Sequence, residues 1–352
     1  MRYIISAGGT GGHIMPALAI AEGIRERIPD AQILFVGTHR GMEERLSTKA
    51  GLEFKALRSL GIKGKSLPDI LKAILVNIGA FIKALKIARD FRPDWVIGTG
   101  GYVTGMVVLA GYLSGAGCAI QEQNSTPGLT NILLSRIASR VFLAFPDTTG
   151  RFPANRTVIT GNPIRKGLIG KGTADKAAHL VILGGSLGAG SINRAGLEAV
   201  KILKKDGITI PVMHQTGKAD LDWVSRAYED SGISAQVHGF IEDMASVYIN
   251  GRLAVCRCGG LTLSELSAAG LPAVMIPFPL ATDDHQMKNA MYVESNGGGW
   301  IIPETDLNAE RLATEIKTRF FDRDELKRAS SRMKDMGIGN GSEIIAGEIT
   351  GV

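Results

Sequence analysis

Short apolar runs recur along the chain, and most neighbouring runs are separated by a stretch long enough for a helix. The runs predict strands at residues 3–6, 33–36, 95–97, 118–121, 141–144 and 158–159. A second set follows at 180–183, 211–214, 235–238, 253–255, 273–276 and 299–302. Strands that alternate with helices in this way imply parallel sheets covered by helices on both faces. The series also restarts. "YIISAGGTGGHIMPALA" at residues 3–19 is echoed by "LVILGGSLGAGSINRA" at 180–195: an apolar strand, Gly-Gly-Thr or Gly-Gly-Ser, further small residues, then a helix. Two doubly wound α/β domains of similar design follow from this. The junction falls near Gly161 in "VITGNPIRKG", where Asn-Pro after Gly breaks regular structure.

One helical stretch departs from the core-helix pattern. Residues 61–92 carry Lys63, Lys65, Lys72, Lys83, Lys86, Arg89 and Arg92 against Asp69 and Asp90, together with a dense apolar set that includes Ile74, Leu75, Phe81 and Ile82. The longest uncharged run, residues 73–82, is half of the roughly 20 residues a membrane span needs. Two readings stand: a core helix with solvated lysines, or a basic amphipathic helix lying on an anionic membrane surface.

Charge bears on that choice. Residues 1–160 hold 19 Lys and Arg against 11 Asp and Glu, so this half carries +8 of a chain whose net charge is +6. An anionic partner is expected for it: nucleic acid, acidic lipid or a phosphate-bearing substrate. Nucleic acid is the weakest of these, because neither aromatic-interleaved basic clusters nor a helix-turn-helix signature is present. The 352 residues include only three cysteines, Cys118, Cys256 and Cys258. They do not make a disulfide framework, the close Cys256 and Cys258 without a second pair argue against a zinc site, and a reducing cytoplasm fits. The N-terminus runs straight into a strand, so no signal peptide is expected.

The glycine turns are the main candidates for chemistry. A Gly-rich strand-to-helix turn admits a ligand close to the backbone and aims free N–H groups and the helix dipole at anionic oxygens. Neither turn is a Walker loop or a G-x-G-x-x-G fingerprint. The end of the second strand reads "FVGTHRGMEE", with Arg40 where an NAD enzyme would place an acid. Only an NADP-type oxidoreductase survives from that class. In the second half, "CRCGGLTLSELSAAG" opens a helix at Gly259 and Gly260. Thr262, Ser264 and Glu265 are expected in its first turn, and Glu265 could accept hydrogen bonds from two ribose hydroxyls or act only as a dipole partner. "LATDDHQMKNA" places Asp283, Asp284, His285 and Gln286 in a polar loop able to read sugar hydroxyls. No metal is expected there.

Eight motifs, "GGTGGHIMPALA" (8–19), "GGYVTG" (100–105), "EQNSTPGLTN" (122–131), "TGNPIR" (160–165), "GGSLGA" (184–189), "FIEDM" (240–244), "CRCGGLTLSE" (256–265) and "DDHQMKNA" (283–290), occur in one order over essentially the whole chain. In that order and approximate spacing the chain resembles the MurG family of peptidoglycan glycosyltransferases. The resemblance implies a GT-B fold, two Rossmann-like doubly wound parallel-sheet domains facing a cleft. Residues 1–161 plus a C-terminal helix at about 337–352 would form the acceptor and membrane-docking domain, and residues 162–336 the donor domain. It also implies inverting transfer of N-acetylglucosamine from UDP-N-acetylglucosamine to the C4 hydroxyl of lipid I (undecaprenyl-pyrophosphoryl-MurNAc-pentapeptide), without cofactor or active-site metal. The enzyme would sit peripherally on the cytoplasmic face of the inner membrane, within a cell-wall synthesis complex.

Carried over by motif, Ser186 would meet the diphosphate and Arg165 a phosphate. The Ile241 backbone would pair with uracil, and Glu265 would hold the ribose. Thr262 with Gly260, Leu261, Leu263 and Ser264 would cover the diphosphate and sugar, and Gln286 would hold hydroxyls of the N-acetylglucosamine. Thr10, Gly11, Gly12, His13, Asn124 and Asn131 would face the transfer point. His13 is the candidate base, since imidazole exchanges protons most readily near neutral pH, with Asn124 orienting the acceptor. A structural or phosphate-binding role is the alternative for His13. The chain departs from the family at Cys258, usually serine, and at Gly260, often alanine, which weakens any hydroxyl contact at Cys258. A different nucleotide-sugar transferase of the same fold is the nearest rival reading.

Overall fold

The apolar runs become strands of two parallel sheets in the computed structural model, which describes all residues except 10, 40–41, 62–65, 148, 165–166, 169–177, 186, 338–340 and 352. The chain divides into two compact units, Met1–Ile164 with Asn340–Val352, and Arg165–Gly339.

In the first unit the strands are β1 (Arg2–Ser6), β2 (Gln32–Thr38), β3 (Glu53–Leu57), β4 (Trp95–Gly98), β5 (Gly117–Glu122), β6 (Arg140–Leu143) and β7 (Thr157–Ile159). They pair in the order β3-β2-β1-β4-β5-β6-β7, all parallel. Strand β3 was not expected. Its sequence, EFKAL, carries two charges, and only an edge position like the one it takes tolerates them. Helices α1 (Gly11–Arg27), α2 (Glu43–Lys49), α3 (Leu67–Phe91), α4 (Tyr102–Leu113) and α5 (Leu129–Leu134) connect the strands.

Both faces are dry at the centre of this sheet, which is why β1, β2, β4, β5 and β6 read as apolar runs. Tyr3 and Ile5 point to a core with Ile14, Ile20 and Ile24 of α1, while Ile4 points to the opposite core with Ala84 and Ala88 of α3 and Val107 of α4.

The second unit has β8 (His179–Leu183), β9 (Val212–Gln215), β10 (Ala235–His238), β11 (Gly251–Cys256), β12 (Ala273–Met275) and β13 (Gly299–Ile301), in the order β10-β9-β8-β11-β12-β13. Its helices are α6 (Gly190–Lys205), α7 (Leu221–Asp230), α8 (Met244–Asn250), α9 (Gly260–Ala269), α10 (His285–Ser295), α11 (Ala309–Phe321) and α12 (Arg323–Asp335). The last helix, α13 (Gly341–Thr350), belongs to the first unit. It packs on α1 through buried Ile345, Ala346 and Ile349, and Gly23 has no side chain where a Cβ would lie 3.1 Å from Ser342 O. The Gly341 N–H donates to Asn162 O at 2.9 Å, and a Cβ on Gly341 would lie 2.3 Å from Gly161 O.

Each sheet reverses its strand order once, between β1 and β4 and between β8 and β11. Open α/β sheets bind ligands beyond the carboxyl ends of the strands at such a point. The two echoed glycine turns leave β1 and β8, and so each sits at a switch point.

Candidate active site

At the first switch point the glycine turn leads into α1, and His13 is the third residue of that helix. Its Nδ1 lies 3.0 Å from Thr99 O and 3.0 Å from Gln123 Oε1. The His13 carbonyl accepts from Thr99 Oγ1 at 2.8 Å. The ring fits because residues 100 and 101 are glycine. A Cβ on Gly100 (φ +118°) would lie 2.5 Å from Nδ1, and one on Gly101 (φ +91°) would lie 2.4 Å from Gly8 O. The "GGYVTG" motif is therefore the seat on which the first glycine turn and its histidine rest. Among the described residues Nε2 of His13 has no hydrogen-bond partner.

The loop after β5 is organised by Glu122, which is buried. Its Oε1 accepts from the Asn124 N–H at 3.1 Å, and its Oε2 accepts from the Gly128 N–H at 3.0 Å and Asn131 Nδ2 at 2.8 Å. Asn131 is thus a buried brace beneath the loop, whereas Asn124 is only partly covered. Asn162 of the "TGNP" motif accepts from Gln121 Nε2 at 2.8 Å and donates to Gln123 O at 3.1 Å. Gly11 and Gly12 open α1, while Thr10 lies outside the described residues.

Sequence reasoning passed over Glu43. It sits at the start of α2, fully buried, with Oε1 accepting from the Gly9 N–H at 3.1 Å and Thr38 Oγ1 at 2.8 Å. It braces the glycine turn from beyond the end of β2, three residues after Arg40. Arg40 itself lies outside the described residues.

At the second switch point Gly188 (φ +81°) is pressed against the loop after β9, since a Cβ there would lie 2.0 Å from Thr216 O. That loop is fixed from below by a buried chain of polar groups. Asn193 of α6 donates through Nδ2 to Thr216 O at 2.8 Å and to Asp220 Oδ2 at 2.7 Å. Its Oδ1 lies 3.1 Å from His214 Nε2, and His214 Nδ1 lies 3.1 Å from the Tyr228 hydroxyl. Asn193 therefore presents an acceptor to Nε2, so Nε2 carries the imidazole proton and Nδ1 accepts from Tyr228. Burial holds the His214 pKa down at about 3, against a weaker upward pull from Asp220. Ser186 and Arg165 lie outside the described residues.

Helix α9 starts at Gly260 as expected, but only Gly260, Leu261 and Thr262 fall in its first turn. Ser264 and Glu265 lie in the second, a correction to the expected placement. Ser264 Oγ donates back to Gly260 O at 2.8 Å, and buried Glu265 accepts from the Tyr248 hydroxyl at 3.0 Å through Oε2. Leu263 is core. Ile241 lies in the loop before α8, partly covered.

Gln286 Oε1 accepts from the N–H groups of Cys258, at 3.1 Å, and Phe278, at 3.0 Å. Two backbone donors fix the amide's orientation, so toward a ligand Gln286 can only donate. Cys258 is buried, and burial raises its thiol well above the ordinary range, with the neighbouring Cys256 adding to the effect. A buried thiol of this kind is not a nucleophile.

Arg257 was also missed. It is 12% exposed and meets Glu304 with both arms, at 2.5 and 3.2 Å, Ser191 Oγ at 3.0 Å and Ile276 O at 3.2 Å, and it lies over the Phe278 ring at 5.3 Å. It clamps the start of α6 to the ends of β11 and β12. Its signal in the sequence was an arginine immediately after a buried strand.

Helix α3 resolves one ambiguity. Its core-facing side is built from Ala73, Ala80, Ala84, Ile87 and Ala88, while Leu71, Ile74, Leu75, Ile78 and Ile82 are exposed, Leu75 by 71%. The buried side is mostly alanine and these five large apolar residues face outward, so they are not core. Phe81, Leu85 and Phe91 are partly buried against the first unit's core. Among the described residues no helix is long and apolar enough to cross a membrane.

Residues 3–143 match the glycosyltransferase family 28 N-terminal domain, and residues 179–343 match the glycosyltransferase family 28 C-terminal domain. The UDP-N-acetylglucosamine–N-acetylmuramyl-(pentapeptide) pyrophosphoryl-undecaprenol N-acetylglucosamine transferase of Syntrophus aciditrophicus is 41% identical over 96% of this chain and 94% of its own length. The enzyme of the same name from Nitratidesulfovibrio vulgaris (strain DSM 19637 / Miyazaki F) is 43% identical over 87% of this chain and 84% of its own. The crystal structure of Acinetobacter baumannii MurG superposes with a TM-score of 0.81 at 31% identity, covering 100% of this chain and 99% of that one. With two parallel-sheet α/β units of seven and six strands, the fold is GT-B, and the chain belongs to the MurG family of family 28 glycosyltransferases.

Proposed function

We propose that this protein transfers N-acetylglucosamine from UDP-N-acetylglucosamine to the C4 hydroxyl of the muramoyl sugar of lipid I, forming lipid II. The observation that carries the reading is identity of 41% to a transferase named for that reaction over nearly the full length of both chains. The NADP oxidoreductase and nucleic-acid readings fall with the family assignment. The experiment is UDP release from UDP-N-acetylglucosamine with and without a lipid I analogue. Release that does not depend on the acceptor, or turnover with another UDP-sugar only, overturns the proposal.

In this reading the second unit takes the donor. The Ile241 backbone pairs with uracil, and Glu265, already held by Tyr248, accepts from the ribose. The turn after β8 with Ser186, and the start of α9 (Gly260, Leu261, Thr262, then Leu263 and Ser264), surround the diphosphate and sugar, and Arg165 of the junction reaches a phosphate. Gln286 donates its amide to a sugar hydroxyl. The first unit takes the acceptor, with Thr10, Gly11 and Gly12 at its pyrophosphate and Asn124 and Asn131 supporting the loop beside its sugar. The acceptor O4 attacks C1 of the donor sugar while the bond from C1 to the phosphate oxygen breaks. The electron pair leaves on UDP, and the O4 proton passes to His13 Nε2. Backbone N–H groups at the starts of α6 and α9, together with Arg165, stabilise the charge gathering on UDP.

The exposed apolar face of α3, flanked by Lys72, Lys83, Lys86 and Arg89, supports peripheral docking on an anionic membrane, the phase in which a polyprenyl acceptor resides.

A further inference from the structure

The seat of His13 fixes more than the position of the ring. A neutral imidazole carries one N–H, and which nitrogen bears it is set by the partners of the other. Nδ1 faces two oxygens, Thr99 O and Gln123 Oε1, each at 3.0 Å. The Gln123 amide has only one workable orientation. Its Nε2 donates to Thr99 O at 2.5 Å, to Gln121 O at 3.1 Å and to Gln121 Oε1. Rotating the amide by half a turn would set an oxygen against these three acceptors. The oxygen of Gln123 must therefore face the ring, and Nδ1, with acceptors only, must carry the proton. The arrangement is enclosed: Gln123 is buried, and Gly100 leaves the space that Nδ1 occupies.

We propose that Gln123 is a positioning residue which, with the Thr99 carbonyl, holds His13 as the Nδ1–H tautomer and reserves the Nε2 lone pair for the proton of the attacking hydroxyl. The inference rests on the reading of His13 as the base. When Nε2 takes the proton, Nδ1–H keeps both hydrogen bonds, and the imidazolium is supported by an amide and a peptide carbonyl rather than by a carboxylate.

Nitrogen-15 NMR of the full-length protein, with His13 assigned by comparison with His13→Ala, reads the tautomer directly. The expected result at neutral pH is an Nδ1–H, Nε2-bare ring. An Nε2–H ring in the wild type overturns the proposal whatever the activity. Gln123→Met removes the side-chain acceptor at similar volume. It is expected to bring the Nε2–H form into view and to lower kcat about 10-fold or more, within the range a positioned base contributes, while donor KM stays within about 2-fold. An unchanged tautomer with unchanged kcat overturns the proposal. Full activity of His13→Ala would instead remove the base reading and leave the tautomer measurement to judge Gln123 separately.

Discussion

Lowering the pH from 7 to 5 should cost the second unit about 2 kcal/mol of stability through His214 alone. The imidazole has an ordinary pKa of 6.5 and is held at about 3 in the fold by burial. In the unfolded chain it takes up a proton as the pH drops below about 6.5, and the folded protein refuses that proton until about pH 3. The unfolded state therefore gains proton binding across this window. The penalty is absent above about pH 7, grows as the pH falls, and levels off near pH 3 at about 5 kcal/mol in all. The charged group closest to the ring along its hydrogen-bonded chain is Asp220, whose own pKa is lowered by hydrogen bonds from Trp223 and Asn193, so it stays ionised between pH 7 and 5 and adds no slope there. The perturbation is His214→Gln, which keeps a donor and an acceptor but does not titrate. At pH 7 the variant should be less stable by about 1–3 kcal/mol, the cost of imperfect pairing in a buried network. Urea unfolding followed by Trp223 and Trp300 fluorescence across pH 5–8 should give a shallower pH dependence for the variant, so that the two stabilities converge near pH 5. Parallel curves would refute the argument, because they would mean that His214 titrates alike in both states.

Three further outcomes are expected. His13→Ala should lower turnover more than about 100-fold under saturating donor and acceptor, and near wild-type turnover would remove it as the base. Replacing Leu71, Leu75, Ile78 and Ile82 by serine should abolish sedimentation with anionic vesicles while circular dichroism and UDP binding persist, since each half-buried side chain contributes about 1 kcal/mol to lipid contact. Binding that survives the change would place the docking surface elsewhere. Arg257→Lys should lower donor affinity measured by calorimetry by about 10-fold or more, because a point charge cannot reproduce the two-armed contact with Glu304 and the bond to Ser191. An unchanged affinity would show that the clamp does not set the donor turn.

What could be read from the chain was whatever depends on burial over several consecutive residues. The central strands announced themselves because both of their faces are dry, as at Tyr3, Ile4 and Ile5, which feed opposite cores in turn. Strand β3 escaped because charged Glu53 and Lys55 interrupt its apolar residues Phe54, Ala56 and Leu57, which an edge position permits. Helix α3 was ambiguous for a related reason. Its composition contains both an apolar face and a basic one, and only tertiary packing reveals that Ala73, Ala80, Ala84 and Ala88, with Ile87, meet the core while Leu71, Leu75, Ile78 and Ile82 do not. The braces were illegible in principle. Glu43, Gln123, Arg257 and His214 act through partners distant in the sequence, Gly9 for Glu43 at a separation of 34, His13 for Gln123 at 110, Glu304 for Arg257 at 47 and Asn193 for His214 at 21, and no local pattern marks such pairings.

The two glycine turns that look alike in the sequence share one device and then diverge. Gly9 (φ +98°) and Gly185 (φ +85°) each take the left-handed conformation that turns strand into helix, and a Cβ on either would meet nothing within 4 Å. Open space beside a strained backbone position is what a ligand-facing turn requires. Beyond that point the first turn enters its helix at Gly11, so the third helical residue is His13, whose ring drops into the gap left by Gly100. The second turn is longer, entering its helix at Gly190. There the fourth helical residue, Asn193, points inward and locks the loop after β9 through Thr216 O and His214. The first arrangement keeps a nitrogen lone pair unengaged among the described residues, while the second spends its polar groups on rigidity. A rigid turn suits a diphosphate whose charge must be met by fixed dipoles, and a seated imidazole suits the removal of a proton. The repeat in the sequence thus encodes a shared scaffold, and the residues that follow each turn decide its chemistry.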